Sequence, residues 1–590
     1  MIVPMKKITL FFSARHHDEA LLRLRQLGVL HVQDVEHRAS DDIQQIETTL
    51  ENIDRILKLP ELQLDTSQIS EESPEKIIEK TLGLLQQKDS IQRELREYQE
   101  ISDWFERWGD VSYSSVQALK DAGVYIRLYL TDKSGLSRIP DEMQVLVAGT
   151  SNNVVHLALI SQSEDEHLDL RQDSIPQVEP GEVRSRINLL KKDLDEITSK
   201  VNSMAAYRDM LTDYRIKLEK NLVVSRVKAG MGDVGDISYL QGFCPDEAVQ
   251  SVQKVADSHG WGYLVEEPDD LSQVPTLTKN SQFINMINPL FKFMSTLPGY
   301  DEMDVSMIFL AFFSVFFAII IGDGGYGLIF MLLTILMRIK FKKANREFVN
   351  LMFLLSGTTL VWGLLTGTWF GSKTIVDCPY LHLRPFVVDK LDSFNEESQP
   401  FVMLLSFIIG VIHLSVAHLM AAARKHNITS LGEIGWVCEL WFIFFLAKKL
   451  VLGVDMPGYA MTLLWVGLAI ILIFSNFQRN IFKGILVTLS NLPLSVIGSF
   501  SDIVSYIRLF AVGFAGFIVS SSFNAMAVGA GIDSVLSGII AALIMFVGHA
   551  LNIALCTMSV LVHGVRLNML EFSGHVGVQW TGKPYEPFRE

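Results

Sequence analysis

Arg508 and Arg566 lie within two long, almost wholly apolar stretches of the 590-residue chain, and each closes a polar stripe. One stripe runs Asn491, Ser495, Gly498, Ser501 (with Asp502 beside it), Ser505, Arg508. The other runs His549, Asn552, Cys556, Ser559, His563, Arg566. Spacings of three and four put each set on one helical face. An ionisable group inside a membrane span costs about 3 kcal/mol or more and marks a functional position by default. A guanidinium keeps its charge at any physiological pH. If the two spans are successive they run antiparallel, so one stripe opens to each side of the membrane. That describes two offset half-paths for an ion, meeting near a permanently positive centre. Small and polar residues also hold packed membrane helices together, and Ser495 or Ser559 taken alone fits that role equally well.

The elements that must position these stripes belong to a chain of two textures. At 49% hydrophobic residues and a positive mean hydropathy, it is too apolar for an ordinary soluble protein and too long for one domain. The net charge of −15 is uneven: residues 1–300 hold 33 Lys+Arg against 48 Asp+Glu, whereas residues 301–590 hold 18 of each. An acidic soluble half of this kind excludes nucleic acid as the partner. Cys244, Cys378, Cys438 and Cys556 form neither a metal spacing nor a disulfide framework. The first twenty residues lack the apolar core of a signal peptide, so the soluble half is expected in the cytoplasm.

Within that half, Lys7 to Phe12 and Val29 to Asp34 read as strands flanking a helix that begins near Arg15. Residues 41–108 and 183–222 carry Ile and Leu at three- and four-residue spacing between charges, with Pro60 and Pro74 interrupting the first run. Two such arms, with strand-like alternation between them at 109–180, predict an antiparallel coiled-coil hairpin bearing a distal α/β lobe. The alternative is a plain helical bundle. A strand–helix–strand pattern within 223–270 is expected to close a second α/β lobe with residues 1–37. The fold class is therefore mostly α: a coiled-coil hairpin with small α/β lobes, then a polytopic helical membrane domain over 301–590.

Apolar segments occur at about 305–321, 326–339, 349–370, 401–422, 435–453, 460–477, 494–523 and 536–566. The first two are short of the ~20 residues a perpendicular helix needs, and only Gly322 to Gly325 separate them, so they read as one broken span or a tight hairpin. Loop charge favours eight spans with both ends cytoplasmic. The segment 338–346 carries five positive residues, and Arg424, Lys425, Arg479 and Lys483 lie in later even-numbered loops. The 371–399 loop is acidic, and the loop around Asp533 has no positive residue; Lys448 and Lys449 are the exception. Asp323 in the Gly-rich turn reads as a cap or as an ion-path carboxylate. GVQWTGKP at 577–584 mimics a phosphate loop, but proline replaces the required Ser or Thr and no strand precedes it. His16, His17, His413 and His418 have no ligand partners at convincing spacing.

SDIVSYIRLFAVGFAG around Arg508 resembles the segment around the essential arginine in the membrane subunit, called a or I, of V-type and A-type rotary ATPases. VLVHGVRLNMLEF with KPYEPF is similar to that family's last helix and tail, IIIGDGGYG to its first-hairpin motif, and VPTLTKN with GYDEMD to its lead-in. The resemblance spans essentially the whole chain. It implies a non-catalytic stator subunit whose Arg508 and Arg566 face the carboxylates of a rotating membrane ring, while the cytoplasmic half joins peripheral stalks and, indirectly, a central-stalk adaptor and the ATPase head. It also implies an integral, multi-pass place in a bacterial or archaeal plasma membrane. His563, three residues before Arg566, would line or orient that arginine. Ser505 would lie on the path, Asp502 near its cytoplasmic entrance, Glu571 at a cytoplasmic exit or a helix end, and His549 with Asn552 on the far side. Many relatives carry a glutamate where this chain has Cys556, so His549 and Asn552 would supply the polarity there. No cofactor, metal or catalytic residue is expected, and H⁺ and Na⁺ both remain open. A secondary transporter holding an anionic substrate on the arginines is the competing class; a tethered scaffold would leave the arginines without a purpose.

Overall fold

The computed structural model describes residues 1–33, 41–59, 72–132, 143–151, 154–163, 165–342, 344–477, 481–529 and 534–589. Pro60 and, among the loop charges weighed above, Lys343, Arg479 and Asp533 lie outside the described residues. The protein is mostly helical and divides into two compact units: Asp34–Gly232, and Met1–Gln33 together with Asp233–Arg589.

In the first of these, helix Pro74–Trp108 runs antiparallel to Pro180–Ser203, each opening on a proline whose missing amide costs nothing at a helix start. At 35 residues the longer one extends about 52 Å. Arg186 pairs with Glu94 at 2.5 Å and Arg184 with Asp110 at 2.8 Å along the seam. Beyond the turn Met204–Tyr207, helix Arg208–Ala229 lies against Asp41–Leu57. There Ile53, Ile56, Ile77, Ile78, Leu211 and Leu218 form a buried core. At the other end of the arms a four-stranded antiparallel sheet runs Val145–Ser151, Val154–Ser161, Tyr125–Asp132, Arg171–Asp173.

The second unit begins with another antiparallel sheet. Strand Met5–Ser13 lies between Ile237–Pro245 and Gly262–Glu266, with His31–Gln33 outside Ile237–Pro245. Ile8, Leu10 and Phe12 are buried on one face, and Met5 is buried on the other with Phe243 and Val274. The end of the chain returns to this lobe. Lys583–Pro584 pairs in parallel with Pro275–Thr276, the Tyr585 hydroxyl donates to the Val29 carbonyl at 2.5 Å, and the Phe588 amide donates to Leu30 at 2.8 Å. His31 Nδ1 meets the Glu586 amide at 3.1 Å.

Each apolar segment of the remaining chain is helical: α1 (Ser306–Ile321), α2 (Gly324–Lys340), α3 (Arg346–Thr366), α4 (Gln399–Arg424), α5 (Ser430–Leu452), α6 (Ala460–Phe474), α7 (Ile481–Ser505), α8 (Ile507–Gly529) and α9 (Val535–Ser559). Among the described residues four stretches are long and apolar enough to cross a membrane: Arg346–Thr366, Glu396–Arg424, Phe482–Gly529 and Val535–Val576; the α1–α2 pair, bent by 120°, makes a fifth. Helix α6 has 15 residues, short of ~20, and α5 carries Glu433, Glu439, Lys448 and Lys449. The span expected at 494–523 lies inside a 48-residue helical stretch, too long to stand perpendicular in a bilayer.

Asp323 occupies the α1–α2 bend as a cap. Its Oδ1 accepts from the amides of Gly325 (2.7 Å), Tyr326 (3.3 Å) and Phe370 (2.9 Å), and its Oδ2 from Gly371 (2.9 Å). The carboxylate thus ties the start of α2 to the loop after α3. Backbones touch where side chains vanish: a Cβ on Gly363 would lie 2.2 Å from the Gly324 nitrogen, and one on Gly513 would lie 2.4 Å from the Ile319 carbonyl.

Two outcomes follow from these contacts. Asp323→Ala strands four buried amides and is expected to cost on the order of 3–5 kcal/mol, read as a lower unfolding temperature in detergent, with Asp323→Asn losing less. Burial holds the His31 imidazole below its ordinary 6.5. The unfolded chain then takes up a proton that the folded lobe resists, so docking of the tail weakens as pH falls below about 6.5. Hydrogen-exchange protection at the amides of Tyr585, Glu586 and Phe588, corrected for the intrinsic exchange rate, should fall from about pH 7.5 to about 5.5 in wild type and stay level in His31→Gln.

Candidate functional site

The polar stripe before Arg508 rides on α7, which contains Pro493 and stops at Ser505. One residue, Tyr506, separates it from α8. Tyr506 is fully buried, its hydroxyl 2.9 Å from His413 Nδ1, and its ring packs where a Cβ on Gly410 would sit. The break leaves the Ser505 carbonyl open, and Arg508 Nε donates to it at 3.0 Å. Arg508 is thereby aimed across the helix, where its Nη2 meets Glu571 Oε1 at 2.9 Å.

Arg566 reaches the same carboxylate from another direction. Beyond α9 the helix continues as two π-helical turns, Val560–Gly564 and Leu567–Phe572, one on each side of Arg566. In an ordinary α-helix a residue five positions on is rotated by about 140°. A π turn pairs i with i+5 and brings it back onto one face. Arg566 Nε accordingly lies 3.6 Å from Glu571 Oε1. Glu571 is 5% exposed, against 23% for Arg508 and 53% for Arg566. Its Oε2 is buried and has no hydrogen-bond partner among the described residues. Two permanent positive charges thus share one buried negative charge, with donors of Arg566 still turned outward.

The other stripe residues fall into two separate groups. Ser495, Gly498 and Asp502 line a cavity of about 780 Å³ together with His418, Glu433 and His575. Asp502 Oδ2 is 2.9 Å from His575 Nε2, and the Ser505 hydroxyl donates to the Asp502 carbonyl at 2.6 Å. His549 and Asn552 belong to a second group. Tyr326 Oη lies 2.8 Å from His549 Nδ1 and accepts from Asn552 Nδ2 at 3.0 Å, while His549 Nε2 meets Asn524 Oδ1 at 3.1 Å. Cys556 Sγ points at Asn552 Oδ1 from 3.6 Å. His563 joins neither group: its Nδ1 is buried and unpartnered among the described residues.

Spacing does not single out Tyr326, Asn524, Glu433 or His575, and it sets His418 aside for want of partners. Tyr326 had a signal, since it closes the Gly-rich turn. For His418 the partners Glu433 and His575 lie 15 and 157 residues away, beyond any spacing rule.

The unequal geometry predicts unequal costs. Arg508→Ala leaves Glu571 buried with only the longer contact and is expected to lose about 3–5 kcal/mol; half-exposed Arg566→Ala should lose about 1 kcal/mol or less. Glu571→Gln added to Arg508→Ala should recover part of the loss. Unfolding of the detergent-solubilised protein reads this cycle, and equal single-mutant costs would exclude the arrangement.

No family model matches the chain. It is 31% identical to the V-type ATP synthase subunit I of Borreliella burgdorferi, covering 100% of both chains. It is 29% identical to V-type ATP synthase subunit I 1 of Treponema pallidum, again over the whole of both. The A-type ATP synthase subunit I of Methanocaldococcus jannaschii is 22% identical over 73% of this chain and 67% of that one. A crystal structure of the cytoplasmic N-terminal domain of a V-ATPase subunit I matches 44% of this chain and 99% of its own at 16% identity; its TM-score of 0.21 is too low to bear on the fold. Full-length identity of this order, shared by chains of one description, places the protein in the subunit I family of V-type and A-type ATP synthases.

Proposed function

We propose that the chain is the membrane stator subunit of a V/A-type rotary ATPase, carrying H⁺ or Na⁺ between two half-paths and a rotating ring. The observation that carries this reading is the convergence of Arg508 and Arg566 on Glu571. A ring carboxylate must be neutral, protonated or sodium-loaded, while it crosses lipid. Beside a fixed guanidinium the same carboxylate favours its ionised form and releases its ion. Arg566, half exposed and only 3.6 Å from Glu571, has donors free to meet it, and Glu571 keeps the two positive charges close together until then. The cavity at Asp502 and the His549–Tyr326–Asn552 group would serve as the two half-paths. Lysine would replace neither arginine well, since it can lose its proton and lacks the planar fork.

The wider organisation fits this role. Residues 1–300 would form the cytoplasmic domain, whose arms join peripheral stalks, and residues 301–590 the membrane domain. Pairing of Lys583–Pro584 with Pro275–Thr276 puts the chain's end beside the N-terminal lobe, which supports a cytoplasmic position for both. Eight spans remain the topology that the loop charges favour, with α1 and α2 as a hairpin and α5 and α6 as two further crossings.

The deciding experiment is ATP-driven ion uptake into membrane vesicles carrying wild-type chain or Arg508→Gln, with assembly checked by pull-down. Uptake should vanish while assembly and ATP hydrolysis persist. Uptake that needs no ATP, or that survives the substitution in an intact complex, would falsify the rotary role.

A further inference from the structure

The cavity at Asp502 holds four titratable side chains from four elements, joined end to end. Glu433 Oε2 of α5 lies 2.6 Å from His418 Nδ1 of α4. His418 Nε2 lies 3.0 Å from Nδ1 of His575, in the turn Ser573–Val576. His575 Nε2 lies 2.9 Å from Asp502 Oδ2 of α7. Both nitrogens of both rings are therefore engaged along one line. The charged groups around it are Lys425, whose Nζ holds the second Glu433 oxygen at 2.5 Å, and Arg424, which also lines the cavity and reaches Asp301. Trp436 stacks over His418 with ring centroids 6.2 Å apart.

We propose that this cavity is a proton-selective inlet to the ion path, in which His418 and His575 relay protons between Glu433 and Asp502. The proposal rests on the stator reading above and names its ion. An alkali cation needs a shell of oxygen ligands. Here the oxygens of Glu433 are occupied by an imidazole and an ammonium, an Asp502 oxygen faces an imidazole, and Lys425 repels a second cation. The middle of the chain offers only nitrogens, which carry protons. In one passage a proton taken up from the cavity by the Glu433 carboxylate goes on to His418 Nδ1, His418 gives its Nε2 proton to His575 Nδ1, and His575 gives its Nε2 proton to the Asp502 carboxylate. One proton leaves Glu433 and one arrives at Asp502. Each ring ends as the opposite tautomer, and a flip about Cβ–Cγ resets it. Asp502 precedes Arg508 by six residues, about 9 Å along a helical path. Its carbonyl is linked to that arginine through Ser505.

The test uses the complete complex in liposomes. Lumenal pH is followed in sodium-free buffer, and ²²Na⁺ uptake is followed in parallel with a protonophore present. Wild-type complex should acidify the lumen without sodium and accumulate no ²²Na⁺. His418→Gln and His575→Gln keep a polar side chain but cannot relay, so proton uptake should drop at least about tenfold, and added imidazole should restore part of it. Accumulation of ²²Na⁺ in the wild-type complex overturns the proposal without any variant. So does full-rate acidification by either assembled variant, or a loss that imidazole leaves untouched. Absence of ATP-driven transport of either ion in wild type would instead remove the stator reading.

Discussion

A carboxylate deep in an apolar helical core needs cations or converging donors fixed beside it, and Glu571 is held by two guanidiniums. Much of the local architecture serves to deliver two guanidiniums to it. A plain helix through residues 495–515 would leave Arg508 pointing along its own stripe. The interruption at Tyr506 turns it instead, and His413 with Gly410 holds the interruption in place. The π turns around Arg566 supply the matching correction on the partner helix. Both irregularities cost regular hydrogen bonding, and both occur at the arginines.

The two polar groups differ in kind. The Asp502 side is roomy, carries carboxylates, imidazoles and cations, and sits by the residues that follow Glu571. The His549 side is built from a phenol, an imidazole and two amides, with no charged member in its hydrogen-bonded set. Cys556 adds a weak donor there. Asp323, the nearest acid in sequence to Tyr326, is fully occupied by backbone amides. That side therefore depends on neutral dipoles, whereas the other offers groups that change charge.

Much of this was legible in the sequence because membrane helices write their periodicity plainly. All the apolar segments are helical, and spacing alone picked out Arg508 and Arg566. The crossing count was less legible, since α5 carries four charges, α6 is short, and α7 with α8 runs far past bilayer thickness. Glu571 was visible as a residue but not as the partner of both arginines, because i to i+5 is a mismatch unless the helix widens. The His418–His575 contact joins residues with no local signature, and tertiary packing alone brings them together.

The end of the chain has a mechanical meaning. The segment that carries Arg566 and Glu571 continues through Val576 into a tail stitched to the lobe by a short parallel pairing and by bonds to Val29, Leu30 and His31. A drag on Arg566 is carried as tension along that tail. In the proposed stator role the last residues would act as a mooring line, and the stiffness with which Arg566 met a moving charge would depend on this knot at the lobe.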